Sequence, residues 1–120
     1  MTLLNAATPQ KQSLFCGIPP TLQEELFQTL AESGTVRIER IVSEGHTTAA
    51  GEWYDQEWEE WVLLVSGGAT LLFESNDAPL DLKPGDHVMI PSRCRHRVER
   101  TDPEQKTVWL AVHFCGDIEK

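Results

Sequence analysis

Gly51–Gly67 reads GEWYDQEWEEWVLLVSG, and in it five carboxylates and three tryptophans run straight into the unbroken aliphatic stretch Trp61–Val65. A segment that is acidic and aromatic at one end and wholly apolar at the other describes a strand buried along its far half, with polar groups held where it enters the core. Its counterpart is Gly85–Arg97, GDHVMIPSRCRHR, a second apolar strand closed by Pro91 and followed by a basic cluster around His96. Together they predict a sheet core with chemically able side chains gathered at one end of it.

Working outward, Ser66-Gly67-Gly68 has the composition of a tight turn, since glycine accepts positive φ at little cost, and predicts a hairpin between Trp61–Val65 and Ala69–Phe73. Ser75–Pro79 reads as a second turn, Leu80–Leu82 as a short edge strand, and Lys83-Pro84-Gly85-Asp86 as a third turn, with proline and glycine where a type II turn wants them. Val88–Ile90, Val98–Arg100 and Val108–Phe114 complete the downstream strands, with a turn at Thr101–Glu104. Upstream, Val36, Ile38 and Val42 fall on one face of a strand and Arg37, Glu39 and Ile41 on the other. Before that strand, Thr21 and Glu24 form a capping box, Leu22, Leu26, Phe27 and Leu30 share one side, and Gly34 supplies a stop, so the spacing predicts a helix over 21–34. About seven short strands behind one helix describe an all-β antiparallel sandwich or small barrel.

At 120 residues the chain has room for one domain: an arm over 1–20, the helix, and a barrel over 35–116. Hydrophobic residues at 40% and charged residues at 24% are ordinary for a folded protein. With 10 Lys+Arg against 19 Asp+Glu, the net charge of -9 repels phosphate backbones and anionic lipid, which argues against nucleic-acid and membrane partners. Apolar runs such as Trp61–Val65 are far short of a membrane span, and MTLLNAATPQKQ has no basic segment leading into a long apolar one, which points to a cytoplasmic protein. Cys16, Cys94 and Cys115 are an odd set without CxxC spacing, the pattern of buried free thiols rather than of a disulfide framework or zinc knuckle.

The order strand, glycine turn, strand, Lys-Pro-Gly-Asp, strand, Ile-Pro and then His resembles the cupin superfamily over Val36–Phe114. In the family's second motif a Gly is followed after five residues by Pro, after one more by Gly, and after two more by His. Gly85, Pro91 and His96 match it in register, with Arg93 in place of the inner glycine. The end of the first motif, Glu and then Gly after six residues, is met by Glu60 and Gly67. The two histidines that precede this Glu in the motif are missing; their positions hold Tyr54 and Gln56, or Trp53 and Asp55. The resemblance implies a small antiparallel jelly-roll barrel, a homodimer and a divalent transition metal, with Glu60 and His96 as ligands. Asp55 and Gln56 stand as the replacements for the missing histidines.

Read on their own chemistry, one imidazole nitrogen with carboxylate or amide oxygens suits zinc, iron(II) or manganese. Glu60 is either a ligand or general base inside the barrel, or a carboxylate paired with Arg95 or Arg97. His96 is a ligand or a hydrogen-bonded core imidazole. Tyr54 can present its hydroxyl to a bound small molecule, and His46, in the small-residue loop Ser43–Gly51, can act as an acid or base over the barrel mouth. Arg93, Arg95, Arg97 and Arg100 can hold a substrate carboxylate or neutralise Glu57 and Glu59. Trp53, Trp58, Trp61 and Trp109 suit barrel or dimer core. Two functions fit this sequence: a metal-dependent enzyme acting on a small polar or anionic molecule, or a non-catalytic binding or dimerising module with a vestigial metal site.

Overall fold

The computed structural model describes residues 8–115, with nothing stated for the Asp77 side chain. Eight strands follow one another: β1 Leu26–Ser33, β2 Val36–Ser43, β3 Glu59–Ser66, β4 Ala69–Phe73, β5 Asn76–Leu82, β6 His87–Ile90, β7 His96–Thr101 and β8 Thr107–Phe114. They form a five-stranded sheet of order β1-β2-β8-β3-β6 and a three-stranded sheet of order β5-β4-β7, with every pairing antiparallel. This is the expected all-β jelly-roll barrel. Among the described residues no helix is long and apolar enough to cross a membrane.

The period of two decides what each strand buries. The inward row of β3 is Glu60, Val62 and Leu64, that of β8 is Thr107, Trp109, Ala111 and His113, and that of β2 is Arg37, Glu39, Ile41 and Ser43. Register lines these rows up in layers: Ile41, Trp109 and Leu64 lie side by side, as do Glu39, Ala111 and Val62, and as do Arg37, His113 and Glu60. With Ala69, Leu71, Leu82 and Ile90 from the other strands, the apolar layers make a continuous core. Toward one end the inward side chains turn polar, and that end carries the candidate site.

The helix expected over 21–34 is not formed. Residues 26–33 are β1, joined to β2 through the two-residue turn Gly34-Thr35 and laddered to it from Leu26↔Val42 to Ser33↔Val36. A helix of that length is marginal without a packed face, and the ladder with β2 offers the same backbone groups partners that local spacing does not reveal. Glu25 and Phe27 reach the cavity, while Gln28, with the Leu14 and Cys16 carbonyls, accepts hydrogen bonds from the buried Arg40 guanidinium on the opposite face. Those bonds fix part of the expected N-terminal arm, whose residues 1–7 lie outside the described residues. Cys16 is exposed rather than buried.

The predicted hairpin across Ser66-Gly67-Gly68 is also replaced. β3 and β4 belong to different sheets, and the glycines make a corner between them. Gly67 has φ +89° and sits directly against Thr107, while Gly68 N–H donates to Thr107 Oγ1 at 3.2 Å. Because a strand leaving a hairpin must stay in its own sheet, this packing against β8 is what sends the chain across the barrel. The Lys83–Asp86 turn forms as read, with Gly85 at φ +98° and Asp86 N–H donating to the Lys83 carbonyl at 2.9 Å.

Candidate metal centre

Glu60 and His96 face each other inside the barrel mouth. Glu60 comes from the second position of β3, two residues before Val62 on the same face, and His96 from the first position of β7; they are 8% and 5% exposed. Pro91 ends β6, and the chain between β6 and β7 then bends through Arg93, which has φ +62°. Arg93 is the residue that replaces the motif's inner glycine, so the left-handed conformation is retained here by a residue with a Cβ. Two contacts hold it: Arg93 N–H donates to the Gln56 carbonyl at 2.7 Å, and its Nε lies 3.3 Å from Asp55 Oδ1. Tyr54 and His96 exchange backbone hydrogen bonds at 2.7 and 3.1 Å, and their rings stack with centroids 5.5 Å apart. The acidic stretch Tyr54–Glu57 is thereby pinned across the same loop that delivers His96.

His96 Nδ1 lies 2.9 Å from the Cys94 carbonyl, which can only accept, so Nδ1 carries the proton and Nε2 of the neutral ring presents a lone pair. That nitrogen lies 3.7 Å from Glu60 Oε1, and Glu60 Oε1 is buried without a hydrogen-bond partner. With Glu60 ionised, both atoms are acceptors. Burial raises the Glu60 pKa above the ordinary carboxylate range and Glu39 adds to the rise; His113, His96 and the Gln56 amide oppose it. The Tyr54 phenol is raised as well, by burial and then by Glu25, Glu60 and Glu39, so its hydroxyl stays protonated and acts as a donor.

These groups fit a divalent cation. Two ligand atoms at about 2.1 Å on a tetrahedral ion are ~3.4 Å apart, close to the Glu60–His96 separation. A backbone carbonyl on the distal nitrogen is the usual outer support of a metal-binding imidazole. Gln56 lines the cavity and interacts with the Glu60 carboxyl, so its amide oxygen is the third available donor. Among the described residues no three His, Cys, Asp or Glu side chains are grouped so as to hold a metal ion. Asp55 also lines the cavity, but its carboxylate is 37% exposed and occupied by Arg93.

Not every nominated residue reaches this centre. His46 lies outside the cavity lining: its Nδ1 accepts from Glu44 N–H at 2.8 Å and its Nε2 lies 3.0 Å from the Gln23 carbonyl. Both ring nitrogens are spent holding loops together, so no lone pair or proton is free for chemistry at the mouth. The alternative pairing of Glu60 with Arg95 or Arg97 does not form. Arg95 pairs with Glu74 at 3.4 Å, and Arg97 donates to the Thr48, Ala49 and Glu52 carbonyls, binds Glu99 and lies over Trp53.

The structure adds residues that motif matching passed over. His113 and Glu39 form a second buried imidazole–carboxylate pair at 3.0 Å, on the wall beside Glu60. Arg37 and Glu25 line the same cavity, whose volume is about 570 Å³, in the usual range for small-molecule sites. The signal for Arg37, Glu39 and His113 was present as charged or polar residues on strand faces that alternate with apolar ones, but only the layer-by-layer register shows that those faces are internal.

Comparison with known proteins places this geometry. The family model for the Cupin domain matches residues 34–113. Among solved structures, a "putative mannose-6-phosphate isomerase" from Ralstonia eutropha is 44% identical, covers 90% of this chain and 100% of its own, and superposes with a TM-score of 0.87. A cupin superfamily protein from Desulfitobacterium hafniense, at 22% identity, covers 90% of this chain and 94% of its own with a TM-score of 0.70. A polyketide cyclase from Streptomyces resistomycificus, at 20% identity, covers 81% of this chain and 69% of its own with a TM-score of 0.66. The last two share the fold. No curated protein matches the chain.

Proposed function

Because this chain belongs to the cupin family, we propose that it holds a divalent transition metal, zinc, iron(II) or manganese, at Glu60, His96 and Gln56, and uses the site on a small polar or anionic molecule. The observation that carries this reading is the pair of buried acceptors, Glu60 Oε1 and His96 Nε2, 3.7 Å apart. A proton or a cation between them would satisfy both atoms. Asp55 would join the set only by leaving Arg93.

When bound, the ion supplies Lewis-acid polarisation of a ligand oxygen. The protein's own groups would do the rest. His96 is oriented by the Cys94 carbonyl, and Tyr54, stacked on it, offers a protonated hydroxyl to a bound oxygen. Val62, Leu71, Ile90 and Trp109 close the inner end of the cavity and exclude water from that side. The name carried by the Ralstonia relative makes phosphorylated sugars the first compounds to assay. A homodimer belongs to the same reading, and the exposed Leu30 on edge strand β1 supports it.

A non-catalytic binding module is the second reading, favoured by the want of a third His, Cys, Asp or Glu at the centre among the described residues. Metal content of untagged protein by plasma mass spectrometry, beside Glu60→Ala and His96→Ala, tests the proposal. Near-stoichiometric metal in the parent and its loss in both variants is expected. A parent that neither retains nor takes up zinc, manganese or anaerobic iron would sink it and leave the binding module.

A further inference from the structure

We propose that Arg37 is an oxyanion clamp, binding the carboxylate or phosphate group of the small molecule that occupies the cavity. This rests on the reading of the cavity as a small-molecule site and names the chemical class it takes. Arg37 lies on the inward row of β2 and lines the cavity, and its Nε is buried without a hydrogen-bond partner. Among the described residues no carboxylate pairs with its guanidinium within 4.0 Å.

The contrast with its neighbours gives the observation its weight. Arg93, which also lines the cavity, is paired with Asp55, and Arg40, on the other face of β2, is satisfied by Gln28 and two carbonyls. Three acids of the cavity wall face groups other than Arg37. Glu25 accepts from Ser43 Oγ at 2.5 Å, Glu39 is paired with His113, and Glu60 faces His96. A guanidinium donor stripped of water and left unmatched is costly, and an incoming pair of oxygens restores what it lacks. The planar fork of arginine suits carboxylate and phosphate oxygens.

Register fixes where that group would sit. Arg37 is the direct partner of His113 on β8, and His113 is the direct partner of Glu60 on β3. Two strand spacings separate the Arg37 and Glu60 backbones, about 10 Å. Both side chains point inward, so the space between guanidinium and carboxyl suits a compound of small-acid or sugar-phosphate size. The anionic group would be at Arg37 and the reacting oxygen at Glu60 and His96, with His113 between them.

The test uses the full chain, with inorganic phosphate and acetate as probes. Each is titrated while the arginine Nε–H resonances are followed by ¹H–¹⁵N correlation, the Arg37 signal being assigned by its loss in Arg37→Gln. Phosphate or acetate is expected to shift that resonance and to bind Arg37→Gln about tenfold or more weakly, with Arg37→Lys recovering part of the loss. The titrations are run in chelator and metal content is measured separately on the parent protein, so failure of the metal reading and failure of the clamp are told apart. Equal affinity in the parent and Arg37→Gln, or no shift of the Arg37 resonance with either probe, overturns the assignment. If the glutamine variant does not fold, Arg37→Lys assigns the resonance and its shift in the parent protein decides.

Discussion

Replacing Glu60 by glutamine should stabilise the metal-free protein and destabilise the metal-loaded one relative to the parent. The Glu60 side chain is buried, its Oε1 lacks a partner, and its folded-state pKa is raised above the ordinary value of 4.5, chiefly by burial. A raised carboxylate pKa means that the folded state binds the proton more tightly than the unfolded state. Below the unfolded pKa both states are protonated and no penalty exists. As pH climbs through the folded pKa the unfolded state gains by ionising, and the penalty is complete above it. Leaving a buried polar group unmatched costs about 1–3 kcal/mol, so Glu60→Gln should gain that much at about pH 8 in chelator. The gain should shrink as pH falls toward the ordinary carboxylate value of 4.5. Metal at a hundredfold excess over its Kd would stabilise the parent by about 2.7 kcal/mol, and the variant by less, which reverses the order. Urea unfolding at two pH values, with chelator and then with zinc, measures all of this. A variant less stable than the parent at about pH 8 in chelator, or a gap that ignores pH, would refute the reasoning.

Gly67→Ala should cost about 3–5 kcal/mol in urea unfolding: the residue has φ +89°, and a Cβ would come within 2.6 Å of Thr107 Cα and 2.8 Å of the Lys106 carbonyl oxygen, backbone atoms that cannot swing away. Arg93→Gly should be more stable than Arg93→Ala by about 1 kcal/mol, because both lose the exposed Asp55 pair but only glycine relieves φ +62°; equal midpoints would mean that the loop carries no such strain.

Part of the candidate site was legible before the fold. The match of Gly85, Pro91 and His96, and of Glu60 and Gly67, to the cupin motifs nominated the two residues that lie 3.7 Å apart; it was the resemblance, not local geometry, that singled them out. Asp55 and Gln56 could not be separated in the same way. Their roles depend on the bend before β3 and on the loop carrying Arg93, which takes up Asp55 and bonds the Gln56 carbonyl. His46 looked available in the sequence, yet Glu44, two residues away, and Gln23, remote in the chain, take its two ring nitrogens.

The same division runs through the whole molecule. The all-β class and the positions of β2, β4, β6, β7 and β8 were set by a period of two and by turn residues, which act over a few neighbours. Strand β1 in place of a helix, the corner at Gly67 in place of a hairpin, and the layer that sets Arg37, His113 and Glu60 side by side were decided by tertiary structure alone. Local spacing tells a strand which side chains to bury; only pairing between distant segments determines what those side chains meet.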